Sequence, residues 1–334
     1  VRGVESFTGM TGRAIYIATR GSALALAQAN MVLSGCRRAF PRLLFELKII
    51  KTTGDKLQRV ALSRIDASLP RGLFTKELEV ALLRERADIA VHSLKDLPTQ
   101  LPEGLILGGV AGERADVRDV LLYKDAHKPK TKLAEFPVGM VVATSSTRRK
   151  AQLLAHRADF NVTEIRGNVP TRLQKLAESE EMDATVLALA GLHRLRYQLG
   201  AGGRLKGTEA PPGLAFTILD TDDMLPCPGQ GAIGLEIREN DEQMAEICGM
   251  LNDQATLQSV TAERAFLSSL GGGCQTPVGA YARVERGQLR LSAVSFLSGS
   301  PAWADERAPL DEAVALGQTV AARLSCAPKK QERQ

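Results

Sequence analysis

Two sets of residues in this chain have the types and spacing that chemistry needs. The first is a single thiol. Cys274 lies in the run Gly271-Gly272-Gly273-Cys274-Gln275-Thr276-Pro277. Three consecutive glycines predict a pliable, exposed loop. A thiol on such a loop is a candidate nucleophile or attachment point, because structural cysteines are usually buried inside an element. The other four read as structural: Cys36 and Cys248 fall on helical patterns, Cys227 between two prolines and Cys326 near the end of the sequence. Five cysteines without a CxxC pair argue against a disulfide framework or a structural zinc site and for a reducing, intracellular compartment. The four histidines are too scattered for a metal site, and His92 reads as a satisfied hydrogen-bonding residue beside a functional turn.

The second set recurs at the ends of predicted strands. Arg20 and Ser22 follow the first strand, and Lys95 and Asp96 follow the third. Ser145, Ser146, Arg148 and Arg149 follow the first strand of a second block; Arg166 follows the next strand and Arg172 lies on the helix after it. Open α/β sheets bind ligands beyond the carboxyl ends of their strands. Free backbone N–H groups at a helix N-terminus attract negative charge there, and arginine adds a two-pronged fork for a carboxylate. Taken singly, each cation reads as a solvated surface charge and Asp96 as a cap or turn residue. Their recurrence at one kind of location points to an anion site. A carboxylate among cations stays ionised at neutral pH, so Asp96 suits stabilising a developing positive charge better than donating a proton.

The elements that must hold these residues alternate. Strands are predicted over 14–19, 44–51 and 88–93, with helices over 23–39 (Ser22 as N-cap) and 75–84. After Asp116 the pattern restarts. Strands over 138–144, 162–165 and 183–189 flank helices over 145–156 and 170–178, the second capped by Asn168 with Pro170 in its first turn. The longest apolar run, 184–192, reads as a buried strand. This alternation predicts an α/β fold with largely parallel sheets. A Pro/Gly-rich break follows over 225–231, then a strand over 232–237. The remainder is patterned differently. It has a helix over 256–270, a hairpin over 278–284 and 289–296, and a closing helix over 310–324, together a smaller α+β domain.

Bulk properties agree. A chain of 334 residues is too long for one compact core. Its 44% hydrophobic and 24% charged content is that of a soluble globular protein, and no apolar run is long enough to span a bilayer. The net charge of +5 permits an anionic partner without requiring nucleic acid. With 4% aromatics the chain lacks the stacking residues of a single-strand binder, and it shows no basic tail or helix-turn-helix pattern.

Ten runs, in order, resemble the hydroxymethylbilane synthase (porphobilinogen deaminase) family. They are IATRGSALALAQAN (17–30), KTTGD (51–55), GLFTKELEVALL (72–83), ADIAVHSLKDLPT (87–99), ATSSTRRKAQL (143–153), IRGNVPTRLQKL (165–176), DATVLALAGLHRL (183–195), PGQGAIGLE (228–236), TAERAFL (261–267) and GGGCQTPVGAYA (271–282). The resemblance covers 14–282; the hairpin and helix beyond match in pattern alone. It implies two periplasmic-binding-protein-like α/β domains flanking an active-site cleft, 14–115 with 232–250 and then 116–231, and a third domain over 251–334 that bears the cofactor cysteine.

The resemblance also implies an activity. Four porphobilinogen molecules are deaminated and joined on a dipyrromethane cofactor held by Cys274 through a thioether bond, and hydrolysis releases the linear tetrapyrrole. Asp96 is implied to be catalytic, hydrogen-bonding pyrrole N–H groups and stabilising a transient cation. Lys95, Thr144, Ser145, Ser146, Arg148, Arg149, Arg166 and Gly167 match positions at the cofactor. Arg20, Ser22, Gln28, Phe74, Arg172, Arg194 and Gln230 match positions at the substrate. Each pyrrole carries an acetate and a propionate, so six pyrroles bring about twelve negative charges, which accounts for the arginines.

One stretch departs from the family pattern. Between TTGD and GLF the chain reads Arg64-Ile65-Asp66-Ala67-Ser68-Leu69-Pro70-Arg71, about three residues longer than usual and without the usual glycines. Arg64 and Arg71 are available for the two basic positions of what the resemblance implies is a lid, which Pro70 would stiffen. Residues 1–13 match nothing. The expected enzyme is a metal-free monomer with no nucleic-acid or membrane partner, cytoplasmic, or plastidic if 1–13 is the stub of a transit peptide. The alternative is a non-catalytic binding protein for a small anion, for which Cys274 would be dispensable.

Overall fold

The computed structural model describes residues 13–52, 75–124, 130–273 and 275–325. In chain order the described elements are β1 (Ile15–Arg20), α1 (Ala23–Ala39), β2 (Phe45–Ile50), α2 (Lys76–Leu83), β3 (Ile89–Ser93), a 3-10 turn (Leu94–Asp96), β4 (Leu105–Val110), β5 (Asp119–Lys124), β6 (Val141–Ala143), α3 (Thr147–His156), β7 (Asn161–Thr163), α4 (Val169–Glu178), β8 (Ala184–Ala188) and α5 (Leu189–Arg194). Then come the short pair β9 (Gln198–Leu199) and β10 (Leu205–Lys206), β11 (Leu214–Leu219), β12 (Ile233–Arg238), α6 (Glu242–Leu251), α7 (Gln254–Ser269), β13 (Val278–Glu285), β14 (Gln288–Ser295), β15 (Ala302–Ala308) and α8 (Ala313–Ser325). The fold is α/β. The chain divides into two compact units, Val1–Glu113 with Ile233–Asp253, and Arg114–Ala232 with Gln254–Gln334.

The first unit is built on a five-stranded sheet of order β2-β1-β3-β12-β4. β1 is parallel to β2 and β3, while β12 is antiparallel to β3 and β4. The second unit contains a sheet of order β11-β5-β8-β6-β7, in which β6 is parallel to β7 and β8 while β5 is antiparallel to β8 and β11. Read from β7, this is the same arrangement: second, first and third strand of a parallel trio, then an antiparallel strand brought in by a crossover. The sheets are therefore mixed rather than largely parallel. On the antiparallel side the sequence pattern marks β12 but not β4, β5 or β11. In β4 the pair Gly108-Gly109 interrupts the strand pattern, which is how a glycine in a strand usually reads.

Each sheet is covered on both faces. In the first unit Ile15, Ile17, Val91 and Leu235 pack with Val32 and Cys36 of α1 and with Ile247 and Cys248 of α6. On the other face Ala18 and Ala90 meet Leu78, Ala81 and Leu82 of α2. In the second unit Val142 and Val186 pack with Leu153 of α3, and Val120 and Leu187 with Leu173 and Leu176 of α4. The apolar run 184–192 is not one strand: β8 stops at Ala188, and Leu189 and Leu192 turn onto the α4 side as part of α5. A run buried throughout carries no periodicity to tell the two apart.

The second unit also holds the three-stranded sheet β13-β14-β15, backed by α7 and α8. The hairpin matches the sequence pattern, whereas β15 here and α6 in the first unit are not marked by it. α8 packs so closely on α7 that a Cβ at Gly317 would lie 2.3 Å from the Ala262 carbonyl oxygen, so glycine is required there. No described helix is long and apolar enough to cross a membrane.

Candidate active site

In the first unit a pocket opens where β1 and β3 end. Arg20, Ser22, Gln28, Thr75, His92, Ser93 and Asp96 line it, with Leu24, Ala25 and Val91. Ser22 stops the strand and starts α1, its side chain accepting from the Ala25 N–H at 3.3 Å. That leaves the helix N-terminus at the pocket with Arg20 beside it, an arrangement suited to an anion. Asp96 closes the 3-10 turn that follows β3 and is exposed. Lys95 precedes it on the same turn.

Two polar contacts secure the base of that turn, one of them fully buried. The Gln28 amide lies 2.9 and 3.0 Å (Nε2 and Oε1) from the Ser93 hydroxyl. His92 Nε2 lies 2.8 Å from Glu236 Oε2, and both side chains are almost fully buried. Glu79 on α2 shares this region. Burial pushes its carboxyl above the usual range, with the charge of Glu236 adding to the rise, while the Thr75 hydroxyl and His92 act the other way.

In the second unit most of the residues expected at the site follow the carboxyl ends of β6 and β7. Thr144 is buried and its hydroxyl accepts from the Ser146 N–H at 3.2 Å. Ser145 donates to the Ile165 carbonyl at 2.8 Å, and Ser146 caps α3. Arg166 is exposed and pairs with Glu164 at 3.2 Å. Gly167 has φ +126°, and a Cβ there would lie 2.8 Å from Thr171 Cγ2, so the turn into α4 needs glycine. Arg172 donates from Nε to the Gly167 carbonyl at 2.8 Å. Asn168 caps α4 by accepting from the Thr171 N–H at 2.9 Å.

Arg148 and Arg149 turn inward. Each donates to one oxygen of Asp119, at 2.7 and 2.8 Å, and each also reaches a carbonyl: Arg148 that of Leu225 at 2.6 Å, Arg149 that of Val186 at 2.7 Å. Gln230, also buried, donates to the same carboxylate at 3.0 Å. Burial pushes the Asp119 carboxyl up, but the two guanidiniums outweigh it and hold it well below the usual range. Two cations around one anion leave a net positive charge. Arg194 donates to the Gly231 carbonyl at 2.6 Å, and burial lowers its pKa to about 10. Asp119 and Glu236 were not among the residues expected at the site. Nothing in the local sequence signals Asp119, whose partners lie 29 and 30 residues on.

Cys274 and Phe74 lie outside the described residues, as do Arg64, Arg71 and residues 1–12. Of the remaining thiols, Cys36 and Cys248 are fully buried and their pKa values are pushed up to about 12, by desolvation above all.

The model of the porphobilinogen deaminase dipyrromethane cofactor-binding domain matches residues 15–246, and that of the porphobilinogen deaminase C-terminal domain matches 257–325. The chain belongs to the porphobilinogen deaminase family. Among its relatives, the porphobilinogen deaminase of Desulforudis audaxviator is 45% identical over 93% of this chain and 94% of its own. That of Geobacillus kaustophilus is 43% identical over 84% of both, and that of Bacillus subtilis 42% identical over 80% and 79%. Solved structures align more loosely: the benzoate-bound effector-binding domain of BenM covers 71% of this chain at 14% identity with a TM-score of 0.40, too distant to bear on function. The Nε atoms of Arg148, Arg149 and Arg194 are buried without a hydrogen-bond partner among the described residues.

Proposed function

We propose that this chain is a hydroxymethylbilane synthase: it deaminates porphobilinogen, joins four molecules head to tail on a covalent dipyrromethane primer, and releases the linear tetrapyrrole by hydrolysis. Within a chain of this family, the observation that carries the reading is the pocket of the first unit. It sets one exposed carboxylate, Asp96, beside the N-terminus of α1 with Arg20. A substrate that carries two carboxylates and becomes cationic when ammonia leaves needs both kinds of group.

Cys274 is the residue that would hold the dipyrromethane, which when bound supplies the pyrrole carbon to which the chain is extended. Lys95, Asp96, Thr144, Ser145, Ser146, Arg148, Arg149, Arg166 and Gly167 are assigned to binding it. Arg20, Ser22, Gln28, Phe74, Arg172, Arg194 and Gln230 are assigned to the incoming substrate and the growing chain. Asp96 accepts hydrogen bonds from pyrrole N–H groups and stabilises positive charge as it develops, an effect strongest where the carboxylate is already in place. Arg20 and the α1 N-terminus bind substrate carboxylates. The buried Asp119 orients Arg148 and Arg149 so that they need not reorganise as the polyanion grows. We further assign the enzyme to the cytoplasm, as a monomer without nucleic-acid or membrane partners. The direct test is incubation with porphobilinogen and mass detection of a linear tetrapyrrole; binding without turnover would overturn the reading.

A further inference from the structure

We infer that Glu236, acting through His92, is a positioning residue for Asp96. The inference rests on the role proposed for Asp96 above. Successive side chains on a strand point to opposite faces, and the last two of β3 are each held by a buried polar partner. Ser93 is held from α1 by Gln28, and His92 is held from β12 by Glu236. Leu94, Lys95 and Asp96 follow directly, in a turn whose closing hydrogen bond runs from the Leu97 N–H to the Leu94 carbonyl at 3.1 Å. The turn therefore leaves the sheet from a base fixed on both faces.

Glu236 stands apart from the other fully buried acids. Asp88 has Arg13 and Arg238, Asp119 has Arg148 and Arg149, and Glu263 has Arg114. Glu236 has His92, and its Oε1 has no hydrogen-bond partner among the described residues. A buried carboxylate held by one imidazole is a costly way to fill a core position. The register shows what it is placed to do. Gly234 sits opposite His92 and Glu236 opposite Ala90, so the pair crosses diagonally between β3 and β12 on the α2 face. There the imidazole lines the pocket together with Thr75 at the start of α2.

The test compares the loaded wild-type enzyme with Glu236→Gln, which keeps the shape and replaces the carboxyl group by an amide. Expected is a fall in kcat of about 10- to 100-fold with KM within about twofold, as for a misplaced catalytic group. Hydrogen exchange should also rise in the peptide covering 94–97, with little change elsewhere. A second variant, His92→Phe with Glu236→Leu, fills the site with apolar groups and should show the same two effects even if Glu236→Gln folds poorly. Wild-type kcat and wild-type exchange at 94–97 in either folded variant would overturn the inference, as would a loss spread evenly over kcat, KM and global exchange. A wild-type chain that never turns over porphobilinogen would instead sink the proposed function.

Discussion

Arg114 meets Glu263 through two parallel hydrogen bonds, Nη1 to Oε1 at 2.7 Å and Nη2 to Oε2 at 2.8 Å. The same carboxylate accepts from the Gly229 and Ala282 N–H groups, both at 2.7 Å, and Arg114 Nε donates to the Gln230 carbonyl at 2.8 Å. One ion pair thus ties the stretches leading into β5 and β12 to α7 and β13. Beside it Gly231, at φ +88°, would bring a Cβ within 2.5 Å of the Ala115 carbonyl oxygen.

Arg114→Ala should cost about 3–5 kcal/mol, because it strands a buried carboxylate. Urea unfolding at pH 7 measures this. A loss below about 1 kcal/mol would show that the pair is solvated or redundant.

Asp119 predicts an acid limb of stability. Its folded pKa is depressed below the unfolded value of about 3.9. The stabilisation it gives is therefore present above that value and lost as pH falls through the folded one. Asp119→Asn should be less stable than wild type at pH 7, and the gap should narrow steadily below about pH 4. A gap independent of pH down to the acid transition would contradict the assignment of charge.

Cys36 and Cys248, with pKa values pushed up to about 12, should resist iodoacetamide in the native chain at pH 8 and react once it is unfolded. Peptide mapping by mass distinguishes them. Native labelling at either position would mean that the packing of α1 against α6 opens readily.

Asp96→Ala should still acquire its primer but lose about 10²–10³ in kcat, the usual loss when a preorganised charge is removed from a reacting centre. Single replacements of Arg20, Arg166 or Arg172 should stall elongation at different chain lengths, because they meet different parts of a lengthening polyanion. Wild-type turnover by Asp96→Ala would remove that residue from the mechanism.

Much of this was legible in the residues. Ser22 and Asn168 announce two helix starts, and the strand-end cations fall at or just past the carboxyl ends of β1, β3, β6 and β7 as the sequence pattern places them. His92 reads correctly as a hydrogen-bonded residue. Its partner could not be read, because Glu236 lies 144 residues away on a strand that returns by crossover. The inward turn of Arg148 and Arg149 is hidden for the same reason: sequence shows their charge but not the carboxylate of Asp119 beneath them. β5 and β11 pair antiparallel beside a parallel trio, a choice made by the crossover and not by local patterning.

The central claim is covalent, and intact mass tests it most directly. The purified chain should carry an excess equal to one dipyrromethane that maps to Cys274 and is missing from Cys274→Ser. On adding porphobilinogen, a ladder of pyrrole increments should appear. A folded, reduced chain that is unmodified at the outset and remains so with substrate would contradict the account and leave a protein that only binds anions.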